Sequence, residues 1–217
     1  MRDVITHLRK LPMNKPSPGQ VRIIAGSLRG SKLPVPEMAG LRPSGDRARE
    51  TLFNWLQQEV GGRRVLDLFA GSGALGFEAA SRGAAEVRML ERDSVLAQSL
   101  RDSARRLKVD TVHVEYADAL GWLARPVDGR FDIVFMDPPF QANLWTAAAR
   151  AVQPWLAEQA WIYVELARLA TFDAPTEWTL HRQGQTREVR HLLFRSDSGR
   201  GAGTLPRNST DQGSTTA

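Results

Sequence analysis

The fold is decided by residues 65–76, Val65-Leu66-Asp67-Leu68-Phe69-Ala70-Gly71-Ser72-Gly73-Ala74-Leu75-Gly76. An apolar strand runs directly into a glycine-rich turn, and the residues after the turn favour a helix. Gly71 and Gly73 allow the backbone to turn tightly and to approach a ligand closely at the start of that helix. This order of strand, turn and helix predicts a nucleotide-binding half of an α/β fold.

Strand and helix patterns alternate on the C-terminal side of this stretch. Strands are predicted near residues 64–69, 86–91, 111–116, 131–136, 160–166, 177–183 and 187–195, and helices near 73–82, 94–107, 118–124 and 142–157. The alternation predicts a Rossmann-like α/β fold, with a seven-stranded, mostly parallel sheet and helices on both faces. Gln183-Gly184-Gln185 leaves no room for a helix, so the last two strands are expected to form an antiparallel hairpin.

The N-terminal part of the chain predicts a small extension to this domain. Val21–Gly26 and Ser31–Val35 flank a glycine-containing turn, which predicts a short hairpin with Arg29 and Lys32 near its tip. A helix with an apolar stripe follows and ends at Gly61-Gly62. We therefore divide the chain into a basic, proline-containing tail (1–20), a hairpin and helix (21–60), a main α/β domain (61–195) and a polar tail (196–217), with both tails disordered.

Composition narrows the class of protein. The chain has 217 residues, 42% of them hydrophobic, which suits one sizeable core. It has no cysteine, which excludes disulfides, cysteine-ligated zinc and thiol nucleophiles. Neither a membrane-spanning stretch of ~18–20 apolar residues nor a signal-peptide core is present, so we expect a cytoplasmic protein, acting as a monomer. The four histidines show no ligand spacing, and we predict no metal.

Positive charge is concentrated in the first 50 residues, which contain ten Lys or Arg and four Asp or Glu, while the whole chain carries a net charge of +5. A basic segment on a nearly neutral body favours a polyanionic partner, although a solvated basic face without a partner is an equal alternative. For each arginine a role on a helix surface or in a local salt bridge is nearly as good an interpretation. The candidates for contacts with nucleic-acid phosphates are Arg29, Lys32, Arg42, Arg47 and Arg49.

The strand ends predict a cofactor that carries a nucleoside. Asp67 lies in the strand before the glycine turn, where a carboxylate suits a cationic ammonium group. Glu91 ends the next strand, where an acid can bind ribose hydroxyls. Asp118-Ala119 would lie beside an adenine, with an ordinary helix N-cap as the alternative for Asp118. The cofactor-binding candidates are Asp67, Phe69, Ala70, Gly71, Ser72, Gly73, Glu91, Arg92, Asp118 and Ala119.

The glycine pattern alone does not select the cofactor. Gly71–Gly76 also fits the Gly-x-Gly-x-x-Gly pattern of NAD and FAD enzymes, which keeps an oxidoreductase open as an alternative. Asp67 in the strand suits an amino-acid ammonium better than a pyrophosphate, and this favours S-adenosyl-L-methionine.

The apolar run 131–136 is followed by the tetrapeptide Asp137-Pro138-Pro139-Phe140. Its residue types indicate which chemical group the site binds. Asp137 and the carbonyl of Pro138 could accept the two N–H groups of a planar exocyclic amine, because neither proline donates a backbone N–H. Phe140 offers a face for stacking a base, worth about 1–3 kcal/mol. Pro after a strand is also ordinary punctuation. Together with the cofactor site, the tetrapeptide favours methylation of a base amine.

The motifs also resemble a known family. Asp67–Gly73 and Asp137–Phe140 look like motifs of amino-methylating class I methyltransferases, and Arg22–Gly26, Arg29–Leu33 and Leu41–Leu56 look like the RsmD family. The resemblance covers roughly residues 21–195, and it implies that the hairpin and helix of 21–60 face RNA and that 61–195 form the catalytic domain. It implies transfer of a methyl group from S-adenosyl-L-methionine to the 2-amino group of one guanine in 16S ribosomal RNA, within the small subunit or an assembly intermediate.

Without the resemblance, other acceptors and roles stay open. Adenine N6 in DNA, a protein amide and a non-catalytic RNA-binding module are the alternatives. The chain lacks room for a separate target-recognition domain, which disfavours a sequence-specific DNA enzyme. Asp instead of Asn at position 137 disfavours the protein-amide group, and the intact tetrapeptide disfavours a non-catalytic module.

Overall fold

Within the part of the chain that the structure describes, the main sheet contains seven strands. The computed structural model describes residues 19–35 and 46–197. The strands of this sheet are β3 (Arg64–Asp67), β4 (Glu86–Glu91), β5 (Val112–Tyr116), β6 (Phe131–Met136), β7 (Leu156–Ala167), β8 (Trp178–Gln185) and β9 (Val189–Ser196). Their order across the sheet is β5-β4-β3-β6-β7-β9-β8. Neighbours pair in parallel from β5 to β7, and β9 pairs antiparallel with both β7 and β8. The predicted mostly parallel sheet with a terminal antiparallel hairpin is confirmed.

Helices cover both faces of this sheet. They are α1 (Asp46–Trp55), α2 (Ala74–Ser81), α3 (Ser94–Leu107), α4 (Ala119–Leu123) and α5 (Trp145–Ala151). One core lies under α1, α2 and α3 and includes Phe53 and Phe77. The other lies under α4 and α5 and includes Trp122 and Trp145. Because β3 lies between β4 and β6, the strand order reverses at β3, and a crevice for ligands is expected at the carboxyl ends there.

The N-terminal hairpin consists of β1 (Gly19–Arg22) and β2 (Lys32–Val35) and is shorter than predicted. The buried carboxylate of Glu78 in α2 accepts the backbone N–H groups of Ile24 at 2.7 Å and Ala25 at 3.0 Å. These residues leave the strand pairing because their N–H groups bind the helix. The hairpin is thereby fixed to α2 by buried charge as well as by apolar contacts.

Three predicted boundaries are wrong. The helix predicted to end at Gly61-Gly62 is α1, which already ends at Trp55. The helix predicted over 142–157 is only α5 and a 3₁₀ turn at Gln153–Trp155, and Leu156 already begins β7. Pro154 lacks the N–H group that a longer α-helix would use. The turn predicted at 183–185 lies instead at 186–188, where the hydroxyl of Thr186 accepts the N–H groups of Glu188 at 3.3 Å and Val189 at 3.1 Å.

Several sequence-based expectations fall outside the described residues. They are Arg42 and most of each predicted tail, residues 1–18 and 198–217. Within the part of the chain that the structure describes, no helix has both the length and the apolar character needed to cross a membrane.

Candidate active site

Three carboxylates meet at the carboxyl edge of the sheet. Asp67 ends β3, Glu91 ends β4, and Asp137 follows Met136 at the end of β6. β3 pairs with both β4 and β6, so these strand ends are neighbours. The structure therefore brings the predicted cofactor turn and the predicted tetrapeptide to the same crevice.

The glycine turn after β3 is shaped for a close backbone approach. Gly71 has φ +51° and Gly73 has φ +76°, which is the left-handed region that favours glycine. A Cβ atom on Gly73 would lie 2.5 Å from Cδ2 of Leu100 and 2.8 Å from Cδ2 of Phe77. Gly73 is the N-cap of α2 and provides no side chain to bind the first N–H groups of the helix. A ligand acceptor at this position would be stabilised by these N–H groups.

Glu91 ties the glycine turn to β4. Its Oε2 accepts the N–H of Gly71 at 2.8 Å, and its Oε1 accepts the N–H of Asp93 at 2.8 Å. Each carboxylate oxygen has a second lone pair, so these bonds leave capacity for the ribose hydroxyls predicted from the sequence. Glu91 is thus held in place by the same turn that approaches the ligand.

Asp67 lies beneath the turn and is only 2% exposed. Burial raises the pKa of Asp67 to about 7, although hydrogen bonds from the backbone N–H groups of Phe69 and Gly76 oppose this increase; nearby Glu91 adds to it. A buried carboxylate with this pKa favours either a proton or a cationic partner. Because so little of Asp67 is exposed, it can act on a ligand ammonium mainly through its charge from beneath the turn.

The residues predicted beside an adenine lie at the next strand end. Asp118 is the N-cap of α4, and its Oδ1 accepts the N–H of Gly121 at 2.9 Å, so the alternative role considered from the sequence is present. Ala119 is buried and Arg92 is exposed. Sequence reasoning missed Tyr116, which pairs in register with Glu91 and is 60% exposed. The sequence signal that could have identified Tyr116 is its position as an aromatic residue at the end of a predicted strand.

The tetrapeptide after β6 presents a carboxylate and an aromatic ring together. Asp137 is half-buried, Pro138 is buried, and Phe140 is 37% exposed. The ring of Phe140 lies 6.1 Å from the ring of Trp145, centroid to centroid. Pro139 contributes in another way, because its carbonyl accepts the N–H of Ala142 at 2.9 Å and closes the turn. Trp145, which supports Phe140, was not identified from the sequence.

One predicted phosphate contact is wrong. Arg49 is 1% exposed, and its Nη2 donates to the carbonyl of Arg22 at 2.7 Å and to Oδ1 of Asp46 at 2.9 Å. Its Nε lies 4.0 Å from Oε2 of buried Glu78. The guanidinium is enclosed between the hairpin, α1 and α2, so it cannot reach a phosphate in this conformation.

The other basic candidates are separated along the molecule. Arg29 and Lys32 are exposed, but Lys32 lies at the end of α3, where Nη2 of Arg106 donates to its carbonyl at 2.6 Å. Because α3 starts beside Glu91 and runs back along the sheet for 14 residues, its end lies about 20 Å from the cofactor turn. Arg47 is exposed near the start of α1. The structure does not bring Arg29 and Lys32 to the edge that carries Asp137.

Residues 19–35 and 46–197 contain no candidate metal site. No group of three or more His, Cys, Asp or Glu side chains in these ranges could hold a metal ion.

Comparisons with known proteins place this geometry among methyltransferases. A family model described as Conserved hypothetical protein 95 matches residues 21–195. Ribosomal RNA small subunit methyltransferase D of Escherichia coli is 41% identical over 192 residues, covering 86% of this chain and 96% of that protein. The protein of the same name from Haemophilus influenzae is 43% identical over 183 residues, covering 82% of this chain and 95% of that protein.

Solved structures agree in fold. A putative methyltransferase, yhhF, from Escherichia coli has a TM-score of 0.76 and 42% identity, covering 82% of this chain and 99% of that chain. A 16S rRNA guanine N2 methyltransferase from T. thermophilus, solved with AdoMet and guanosine, has a TM-score of 0.62 at 22% identity, covering 82% of this chain and 50% of that chain. At that identity the likeness shows the shared fold alone.

Proposed function

This chain belongs to the family described as Conserved hypothetical protein 95, and from that premise we propose that it transfers a methyl group from S-adenosyl-L-methionine to the exocyclic 2-amino group of one guanine in 16S ribosomal RNA. The resemblance to the RsmD family is confirmed. The observation that supports the reaction best is the position of the tetrapeptide 137–140 beside the glycine turn, across the paired ends of β3 and β6. A methyl donor in the turn and an amine at Asp137 would face each other there.

The residues of the crevice fit the proposed methyl donor. S-adenosyl-L-methionine supplies an electrophilic methyl group on a sulfonium ion. The buried carboxylate of Asp67 would stabilise its ammonium group from below the turn, Glu91 would accept the ribose hydroxyls, and Asp118-Ala119 would flank its adenine. Phe69, Ala70, Ser72 and Arg92 complete the proposed site. A side chain at Gly73 would overlap Leu100 and Phe77, so packing and the positive φ both require glycine at this point of the turn.

The acceptor amine would be held by the tetrapeptide. Asp137 accepts one N–H of the 2-amino group and the carbonyl of Pro138 accepts the other, so that the nitrogen lone pair points at the methyl group. Phe140 stacks on the extruded base. Transfer would be an in-line displacement without a covalent enzyme intermediate: the amine nitrogen would bond to the methyl carbon as the carbon–sulfur bond breaks, and S-adenosyl-L-homocysteine would leave. Positioning by these residues would supply much of the rate increase. Asp137 takes up the amine proton as the new bond forms.

The relatives favour this reaction over the alternatives raised by the sequence. Gly71–Gly76 fits an oxidoreductase pattern, but the relatives that this chain matches over most of their length are named as ribosomal RNA methyltransferases. The same names favour RNA over adenine in DNA as the acceptor.

The proposed partner is 16S ribosomal RNA, within the small subunit or an assembly intermediate. Arg29, Lys32 and Arg47 are exposed cations that would contact its phosphates. Arg42, which lies outside the described residues, stays a candidate. We expect a monomer in the cytoplasm, where ribosomal subunits are assembled.

Mass spectrometry of 16S RNA tests the proposed function. RNA from cells with and without this protein should differ by one N2-methylated guanine, and the purified chain should restore that methyl group to small subunits from the deficient cells. Identical methylation in both cell types, together with no transfer by the purified chain, would reject the proposal.

A further inference from the structure

A row of polar side chains continues from Asp137 across the sheet. Met136 pairs with Val164, so that Asp137, directly after β6, lies beside Glu165 in the neighbouring parallel strand β7. Glu165 in turn pairs with His191 in β9. Neighbouring strands lie about 4.8 Å apart, so the three side chains are next to one another at the edge that carries the tetrapeptide.

Tyr163 links two members of this row. Its hydroxyl donates to Oε2 of Glu165 at 2.9 Å and lies 2.8 Å from Nδ1 of His191. Since the hydroxyl has one proton, the bond to Glu165 requires that Nδ1 of His191 donates to the tyrosine oxygen. Burial and the carboxylates of Glu165 and Asp137 raise the pKa of Tyr163 well above its usual value, so the hydroxyl remains a donor.

The cluster holds Glu165 in one orientation and engages only one of its oxygens. Tyr163, Glu165 and His191 are 1%, 6% and 5% exposed. On the other face of the sheet, Nε1 of Trp145 donates to the backbone carbonyl of Glu165 at 2.7 Å. Within the described ranges the hydrogen bonds to the carboxylate fall on Oε2, which leaves Oε1 as an acceptor beside Asp137.

Guanine has the complementary arrangement of donors. Its N1–H lies next to the 2-amino group on the same edge of the ring, whereas adenine presents a lone pair at N1. Two neighbouring carboxylates could therefore accept the 2-amino N–H and the N1–H of guanine. The carboxylate that faces N1 would repel a base that has a lone pair there.

We propose that Glu165 recognises the N1–H of the target guanine while Asp137 holds its 2-amino group, and that Tyr163 and His191 keep Glu165 oriented for this contact. The inference rests on the proposed function, because it names how the same site selects its base. Glu165 is then a specificity residue that binds the substrate, and Tyr163 is a positioning residue.

The test compares two bases in one particle. Small subunits are reconstituted with 16S RNA that carries either guanine or 2-aminopurine at the target position. 2-Aminopurine keeps the 2-amino group but has a lone pair at N1. The preference is the ratio of kcat/KM for the two substrates, measured with the full-length chain and tritiated methyl donor. Wild type should prefer guanine by at least about tenfold, as expected for a specific base contact.

Glu165→Gln is the decisive variant. The amide has the same shape, but it can donate to the lone pair at N1 of 2-aminopurine, so the preference for guanine should fall by about tenfold or more. If Glu165→Gln slows both substrates by the same factor, the preference is unchanged and the proposal is overturned.

Two further variants separate recognition from folding. Tyr163→Phe keeps the ring and the Glu165 carboxylate but removes the anchor, and it should lower the preference by a smaller factor; an unchanged preference would overturn the positioning role. Ser196→Ala removes another buried hydroxyl, which accepts the N–H of Ala160 at 3.0 Å near the far end of β9, and it should leave the preference intact. If wild type methylates neither particle, the proposed function fails, independently of the role of Glu165.

Discussion

At the scale of single residues, we expect Asp137 to be required for turnover but not for binding of the cofactor. Asp137→Ala should lower kcat/KM for small subunits by roughly 100-fold or more, because one of two acceptors for the amine is removed. Binding of S-adenosyl-L-methionine should be nearly unchanged, since the contacts of Glu91 and the buried position of Asp67 do not depend on Asp137. Tritium transfer and calorimetry measure the two quantities. Near-normal turnover would remove the proposed mechanism.

Asp67 should make stability depend on pH in a direction opposite to that of most carboxylates. Its folded pKa of about 7 is above the ordinary unfolded value of about 3.9, so folding takes up a proton between these values. The unfolding free energy should therefore fall as pH rises from about 4 to about 7, by up to roughly 4 kcal/mol from this group alone.

Urea unfolding at a series of pH values checks this effect against Asp67→Asn, which does not titrate. The stability of the wild type relative to Asp67→Asn should decrease as pH rises through this range. Parallel pH curves for the two proteins would show that Asp67 ionises normally in the folded state.

At the scale of elements, the attachment of the hairpin to α2 should be sensitive to one methyl group. Gly26 has φ +82°, and a Cβ atom there would overlap the carbonyl of Ser81; Gly30 has φ +85° and open space around it. Both Gly→Ala changes carry backbone strain of about 1–2 kcal/mol. Gly26→Ala should cost about 1–3 kcal/mol more, because of the overlap. Denaturant unfolding of both variants measures the difference, and equal costs would mean that α2 and the hairpin move apart freely.

The elements that the sequence predicted well are those whose signals are local. Apolar runs, glycines and the short link before the last strand defined the main sheet and its antiparallel end. The hairpin strands and the helix before β7 were predicted too long, since Glu78 and Pro154 change the hydrogen bonding there. A contact between Glu78 and Ile24, 54 residues apart, leaves no local pattern.

In the candidate site, too, some residues could be predicted from local sequence signals and others depend on contacts between distant segments. Asp67, Glu91 and Asp137 could be placed together from the sequence because carboxyl ends of parallel strands share an edge. The cluster of Tyr163, Glu165 and His191 depends on the antiparallel register of β7 and β9, which the spacing does not define. The burial of Arg49 depends on a hairpin, two helices and a carboxylate that come together only in the folded molecule.

At the scale of the whole molecule, RNA binding should be separable from methyl transfer. Arg29→Gln with Lys32→Gln should weaken binding of small-subunit RNA and lower the slope of log affinity against log salt by roughly 0.7–0.9 for each phosphate that the two side chains no longer neutralise. At saturating RNA, turnover should be retained, because the hairpin tip lies far along α3 from Asp137.

Filter binding at several salt concentrations measures the slope. Arg150→Gln changes an exposed arginine on α5, on the other face of the sheet, and serves as the control. A slope that the double variant leaves unchanged would remove the hairpin tip from the RNA-binding surface.

The strand order has a consequence for how the protein is made. β9 lies between β7 and β8, although the ribosome synthesises β8 first. While β9 is still in the exit tunnel, β7 has an open edge and β8 has no place in the sheet, so that an unfinished chain exposes strand edges that can pair with other chains. Glu165 also meets His191 only after β9 has emerged. A nascent chain therefore has an incomplete sheet with exposed strand edges until β9 inserts between β7 and β8.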